Sequence, residues 1–196
     1  MEIDPEKRTA AQNYKLMTGM VVPRPIAFVT SLSPEGRLNA APFAYFNAVA
    51  HKPPMVMVSI TYRDGEKKDT LRNVEATREF VVNMVNEDIA EAINICAGSY
   101  DYGVNELEKA GLTTLPSRIV NPPRVAESPG SMECRVRQII DLVTHHLILG
   151  QVVMFHLRDE LFEDDTVNVH RLRPIARLSK NYYTRCRDIF EMIRPP

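Results

Sequence analysis

The chain has 196 residues, 44% of them hydrophobic, with 24 basic against 25 acidic side chains and a formal net charge of −1. That length and apolar content suit one packed domain, 1–196, rather than a disordered chain. The charge balance excludes a general nucleic-acid binder, which would carry a basic face.

The acidic start, Met1-Glu2-Ile3-Asp4-Pro5, lacks the apolar core of a signal peptide. Residues 4–18 predict a short lead-in helix around Tyr14, Leu16 and Met17. Pro23-Arg24-Pro25 then forces an extended entry, because a residue before proline avoids helix. A strand follows from Pro25 to Ser33, ended by the turn Pro34-Glu35-Gly36. Asn39-Ala40-Ala41-Pro42-Phe43 is a small-residue hairpin arm, and Met55 to Thr61 is the next strand. The basic loop Arg63-Asp64-Gly65-Glu66-Lys67-Lys68-Asp69-Thr70 opens a helix through Ala76, with Asp69 or Thr70 as its cap. Glu79 to Val85 is a valine-rich strand. Ile89, Ala92, Ile93 and Cys96 give Glu87–Cys96 a helical period, and Gly111 is placed to end a short helix from Glu106.

Strand signals return at Met132 and continue through Leu147–Phe155, where Gly150 marks a bulge or a close backbone approach. Short strands are expected at Val167–Val169 and Ile175–Leu178. The stretch from Ile139 to Leu157 is the most apolar, but Asp141, His145, His146 and Gln151 make it a strand and not a membrane helix. The fold class expected is mainly β with inserted helices, a closed antiparallel barrel rather than a sandwich.

Several groups could carry chemistry. Lys67 and Lys68 beside a helix N-terminus favour an anion such as phosphate, with Thr70 as an added hydroxyl donor, although a solvated charged turn would look the same. Asn39 to Phe43 offers accessible amides and an apolar wall, suited to a flat ring system or to a tight barrel turn. Thr30, Ser31 and Ser33 could meet ribityl hydroxyls, or satisfy their own backbone. His145 and His146 are adjacent and so face opposite ways on a strand, which disfavours a shared metal. His51, His156 and His170 form no HxxxH or HExxH pattern, and no GxSxG, Walker loop or GxGxxG is present. Cys96, Cys134 and Cys186 form no CxxC, so reduced structural thiols in a cytoplasmic protein are expected. Tyr182 and Tyr183 read as packing residues or as an aromatic lid.

Together these residues resemble the flavin reductase-like family of FMN-binding split barrels, which includes flavoredoxin and the reductase components of two-component monooxygenases. The motifs that carry the resemblance are Pro23 to Val29, Asn39 to Phe43, Lys68-Asp69-Thr70-Leu71-Arg72-Asn73, Phe80-Val81-Val82-Asn83, Ala126-Glu127-Ser128-Pro129, Glu133-Cys134 and Asn181-Tyr182-Tyr183. The resemblance implies a homodimer of six-stranded split β-barrels of antiparallel, Greek-key type, with FMN near the subunit interface. It implies that Asn39, Ala41, Pro42 and Phe43 face the isoalloxazine, and that Thr30, Ser31 and Leu32 line the ring and ribityl chain. Ser59, Arg63, Lys68 and Thr70 would surround the phosphate, and His145 would face the nicotinamide. His146 and the Ser179-Lys180 pair depart from the small residue and the glycine-rich turn usual in similar reductases. The implied reaction is hydride transfer from NADH or NADPH to FMN, with a monooxygenase or electron-transfer protein as partner and no role for nucleic acid or membrane. A flavoredoxin-like electron carrier and a non-enzymatic flavin or haem binder are the competing expectations.

Overall fold

A computed structural model describes residues 1–195. Its centre is a seven-stranded antiparallel sheet. The strands are β1 (Ala27–Leu32), β2 (Leu38–Phe43), β3 (Phe46–His51), β4 (Pro54–Thr61), β5 (Glu79–Asn83), β6 (Gly130–Asp141) and β7 (His145–Leu157). Their order across the sheet is β2-β1-β5-β6-β7-β4-β3. The sheet curls until β2, at one end, comes against β4, near the other, and the Ser59 N–H, which donates to the Tyr45 carbonyl at 2.8 Å, extends the β3–β4 ladder. This is the split barrel. The strand the sequence did not disclose is β3, an edge strand whose side chains after Phe46 are all exposed. It raises the expected six strands to seven.

One core fills the barrel: Ala27 and Val29 from β1, Phe43 from β2, Val56, Val58 and Ile60 from β4, Phe80 and Val82 from β5, and Ile148 and Val152 from β7. Leu71 and Val74 of α2 (Asp69–Thr77) join it, so that helix plugs the barrel. Gly150 permits the closest approach inside. A Cβ there would come within 2.4 Å of the Phe80 ring. The strand β7 runs unbroken through it, and the register of β6 shifts at Val136/Gln138, beside the Gly150 pairing.

A second core lies outside. Ile26, Phe28 and Ala40 face Ile89, Ile93 and Cys96, together with Leu107. The helices there are α3 (Ala90–Cys96) and α4 (Glu106–Ala110). Asn105 caps α4, and Gly111 ends it in the left-handed region at φ 68°. Because β1 is covered on both faces, its residues Ala27 to Ser31 are all buried. The lead-in helix α1 (Ala10–Met20) starts with a Thr9–Gln12 capping box but buries only Thr18. At the C-terminal end, β8 (Ile175–Arg177) and β9 (Tyr183–Arg185) form a hairpin. Lys180 takes a positive φ of 53° in its turn, which is how a non-glycine residue stands where a glycine-rich turn is usual. The stretch expected as a strand at Val167–Val169 is a strand only at Thr166–Val167, with a helical turn from Val169.

Candidate functional site

Two adjoining cavities open beside α2. The first, about 380 Å³, lies between the Arg63–Thr70 loop and the Cys96–Tyr102 loop, with Asn39, Ala41, Pro42 and Phe43 as its floor. The second, about 370 Å³, is walled by Ala44, Tyr45, Ser59, Thr61 and His145. Pro42, Phe43, Lys68 and Ala97 line both, so the cavities meet across the Pro42-Phe43 edge.

The first cavity is lined by four cationic side chains and five carboxylates, and their pairing decides which charges are free. Lys68 occupies the N-cap position of α2, and no side chain caps that helix. Asp69 and Thr70 are helical residues, not caps, so the first-turn N–H groups have no partner within the helix. Lys68 sits 5.8 Å from the centre of the Phe43 ring and makes no ion pair among the described residues. Burial, then the Arg63 charge, lowers its pKa. Lys67 is different: it is committed to Glu75 at 2.7 Å. Arg72 pairs with Glu66 at 3.0 Å. Arg63 is held in a tight loop by reciprocal backbone bonds with Glu66, and its guanidinium carries no carboxylate partner among the described residues.

The floor is polar beneath its apolar lip. Asn39 and Thr70 lie 2.7 Å apart. With the Asn39 amide turned so that its oxygen accepts from the Thr70 hydroxyl, its nitrogen donates to Glu106 at 3.1 Å. Glu106 also accepts the Ala40 N–H at 2.9 Å, and burial raises its pKa. The Thr70 hydroxyl is therefore spent on Asn39, and what Thr70 offers an anion is its backbone N–H.

In the second cavity His145 stacks on Tyr45, with ring centres 5.6 Å apart. Burial, then the Lys68 charge, lowers its pKa, so the imidazole is neutral near pH 7. His146 points the other way, into a buried site edge-on to Tyr62, with its Nδ1 unpartnered. The opposite faces expected of the pair are observed. Arg24 is buried at the cavity wall and donates to the carbonyls of Thr18, Val21 and Leu178, which ties α1 to the C-terminal hairpin.

The sequence-predicted residues thus divide. Asn39, Ala41, Pro42, Phe43, Arg63, Lys68 and Thr70 meet in the first cavity, and Ser59 and His145 in the second. Ser59 lies on the His145 side, away from the Arg63 loop. Thr30, Ser31 and Leu32 line neither cavity. The Thr30 hydroxyl donates to the Pro123 carbonyl at 2.6 Å, and the Ser31 hydroxyl accepts from Asn73 at 3.2 Å. Their hydroxyls serve the fold because β1 is covered on both faces. Tyr182 and Tyr183 are exposed rather than packed, and Tyr183 borders the second cavity. Sequence reading missed Tyr45, Glu106 and the Tyr100–Tyr102 loop. Only the apolar Phe43-Ala44-Tyr45-Phe46 run hinted at the first of these. Among the described residues no cluster of three or more His, Cys, Asp or Glu side chains could hold a metal, and no helix is long and apolar enough to cross a membrane.

The geometry accords with the comparisons. Residues 18–176 match the model of the flavin reductase like domain. The chain belongs to the flavin reductase-like family. Nitrilotriacetate monooxygenase component B of Bacillus cereus is 39% identical, with a TM-score of 0.95 and 98% of each chain covered. The 2-nitrobenzoate 2-nitroreductase of Pseudomonas fluorescens is 35% identical, with a TM-score of 0.92 over 100% of this chain and 96% of the other. Flavoredoxin of Desulfovibrio vulgaris, 17% identical with a TM-score of 0.77 over 100% and 97% of the two chains, shares the fold. A flavin is the cofactor class of this family, and its neighbours are oxidoreductases.

Proposed function

We propose that the chain, as one domain over 1–196, is an NAD(P)H-dependent FMN oxidoreductase. The observation that carries this reading is the uncapped start of α2 with Arg63 on one side of the Pro42-Phe43 edge, His145 on the other and Lys68 lining both cavities. The residues fit the cofactor. First-turn N–H groups and two cations without carboxylate partners receive its phosphate. Ala41, Pro42 and Phe43 leave a smooth face for its ring, with Asn39 and Glu106 fixing the polar groups beneath.

The bound flavin supplies the hydride acceptor. The chain supplies position. Phe43 and Pro42 would hold the ring and exclude water from it, and His145, stacked on Tyr45, would meet the nicotinamide. No side chain is required to move a proton, which suits a site whose histidine is neutral. We also propose that the protein is a cytoplasmic homodimer. The support is the uncovered face of α1, where Tyr14, Met17 and Met20 are exposed. A monooxygenase as recipient of the reduced flavin follows from the name of the Bacillus cereus relative.

Anaerobic visible spectra of the FMN-loaded protein test the reading. Rapid bleaching by NADH or NADPH is expected. Bound flavin that stays oxidised with both would refute it and leave an electron carrier reduced by a protein donor.

A further inference from the structure

A further cavity lies outside the two beside α2. It is a groove of about 780 Å³ between α3 and the β8–β9 hairpin. Its volume is that of a small-molecule site. Glu87, Ala90, Glu91, Asn94 and Ile95 form one wall, at the three- and four-residue spacing that places them on one helical face. The hairpin forms the other wall, with Ile175 and Arg177 facing Arg185 and Tyr183 in the strand register. Arg177 and Tyr183 also line the His145 cavity, so the groove continues the surface on which the nicotinamide is placed.

The charges of the groove differ in how they are paired. Arg185 and Arg187 both bond Glu87, which leaves that cluster one positive charge in excess. Arg177 stacks on the Tyr183 ring at 4.5 Å and donates to the Lys180 carbonyl, with no carboxylate partner among the described residues. Arg187 lies outside the groove lining, so the groove itself holds two arginines, of which Arg185 shares Glu87 and Arg177 is free of carboxylates. Beside them stands one free carboxylate, Glu91, which is exposed and makes no hydrogen bond or ion pair among the described residues.

We propose that this groove seats the adenosine diphosphate half of the nicotinamide donor, and that Glu91 selects NADH over NADPH. The assignment rests on the NAD(P)H reading above. Arg177 and Arg185 receive the pyrophosphate. The Glu91 carboxylate accepts from the adenosine ribose hydroxyls and repels a 2′-phosphate, the same chemistry by which an acidic residue distinguishes the two nucleotides in other folds. Asn94 and Asn181 supply neutral donors and acceptors along the walls.

The test is calorimetric binding of ADP-ribose and of 2′-phospho-ADP-ribose to the FMN-loaded protein, with spectra of flavin bleaching by NADH and by NADPH run in parallel. ADP-ribose lacks the nicotinamide and reports the groove alone. The wild type is expected to prefer ADP-ribose, and Arg185→Ala to weaken it by ~10-fold or more, as loss of a charge-assisted contact does. Glu91→Arg, at an exposed position where folding is not at stake, is expected to reverse the preference between the two ligands. Absence of ADP-ribose binding in a protein that NADH still bleaches would overturn the groove assignment and leave the reductase reading intact. Unchanged preference in Glu91→Arg would overturn the selectivity assignment. ADP-ribose binding with the predicted variant effects, in a protein that neither nucleotide bleaches, would support the groove as a nucleotide site and refute the reductase reading.

Discussion

Single residues beside α2 are set by what has already claimed their neighbours. Glu75 and Glu66 occupy Lys67 and Arg72, and that leaves Lys68 and Arg63 for a ligand. The same accounting applies to His145. Burial and Lys68 hold its pKa below 6.5, so the unfolded chain binds the proton more readily. Its contribution to stability is therefore full above about pH 6.5 and is lost as pH falls through the lower, folded value. A proton NMR titration of the flavin-free protein should give His145 a midpoint below 6.5, and a midpoint above it would contradict the geometry. Glu133 is the corresponding buried anion of the scaffold. Burial opposes its charge, but the N–H groups of Arg118, Ile119 and Val120, together with His156 at 2.5 Å, hold its pKa below the ordinary value. Glu133→Gln leaves those donors without their anion and should cost about 3 kcal/mol or more in urea unfolding at neutral pH. A variant as stable as the wild type would show that the loop does not depend on this anchor.

At the scale of elements, the legible parts were those with local causes. The period of α3, the Gly111 stop of α4 and the helix after the basic loop follow from residues close in sequence. Gly150 was legible as a close approach, although its partner Phe80 was not, because contact across the barrel leaves no local trace. Gly150→Ala should destabilise the fold by about 1–3 kcal/mol, since Phe80 is buried and has little room to yield. An unchanged urea midpoint would mean that the barrel core is looser than described. The strand β3 escaped notice because its exposed side chains show no alternation of burial. Thr30 and Ser31 line neither cavity for the opposite reason. A strand that reads as half-buried is covered on its second face by α3 and α4, which the sequence places some sixty residues away.

At the scale of the molecule, the two cavities beside α2 and the groove between α3 and the hairpin run together around one side of the barrel. Motif order identified the Asn39–Phe43 and Arg63–Thr70 parts of this surface. The groove walls were not legible, because Glu91 and Arg185 meet only after the chain has closed the barrel and returned. The uncovered face of α1 and the exposed Phe190, Met192 and Ile193 leave apolar surface that a second copy would bury. Light scattering should give twice the 22.3 kDa chain mass. A monomer across micromolar concentrations would contradict the homodimer.

The central claim is that α2, Lys68 and Arg63 receive a flavin phosphate. Its most direct test is fluorescence titration of wild type and Lys68→Ala with FMN and with riboflavin, which differs by lacking the phosphate. Wild type should bind FMN more tightly than riboflavin, and Lys68→Ala should lose about 1.5–3 kcal/mol for FMN while its riboflavin affinity stays the same. Equal affinity for the two flavins in wild type, or an undiminished FMN affinity in the variant, would place the phosphate elsewhere.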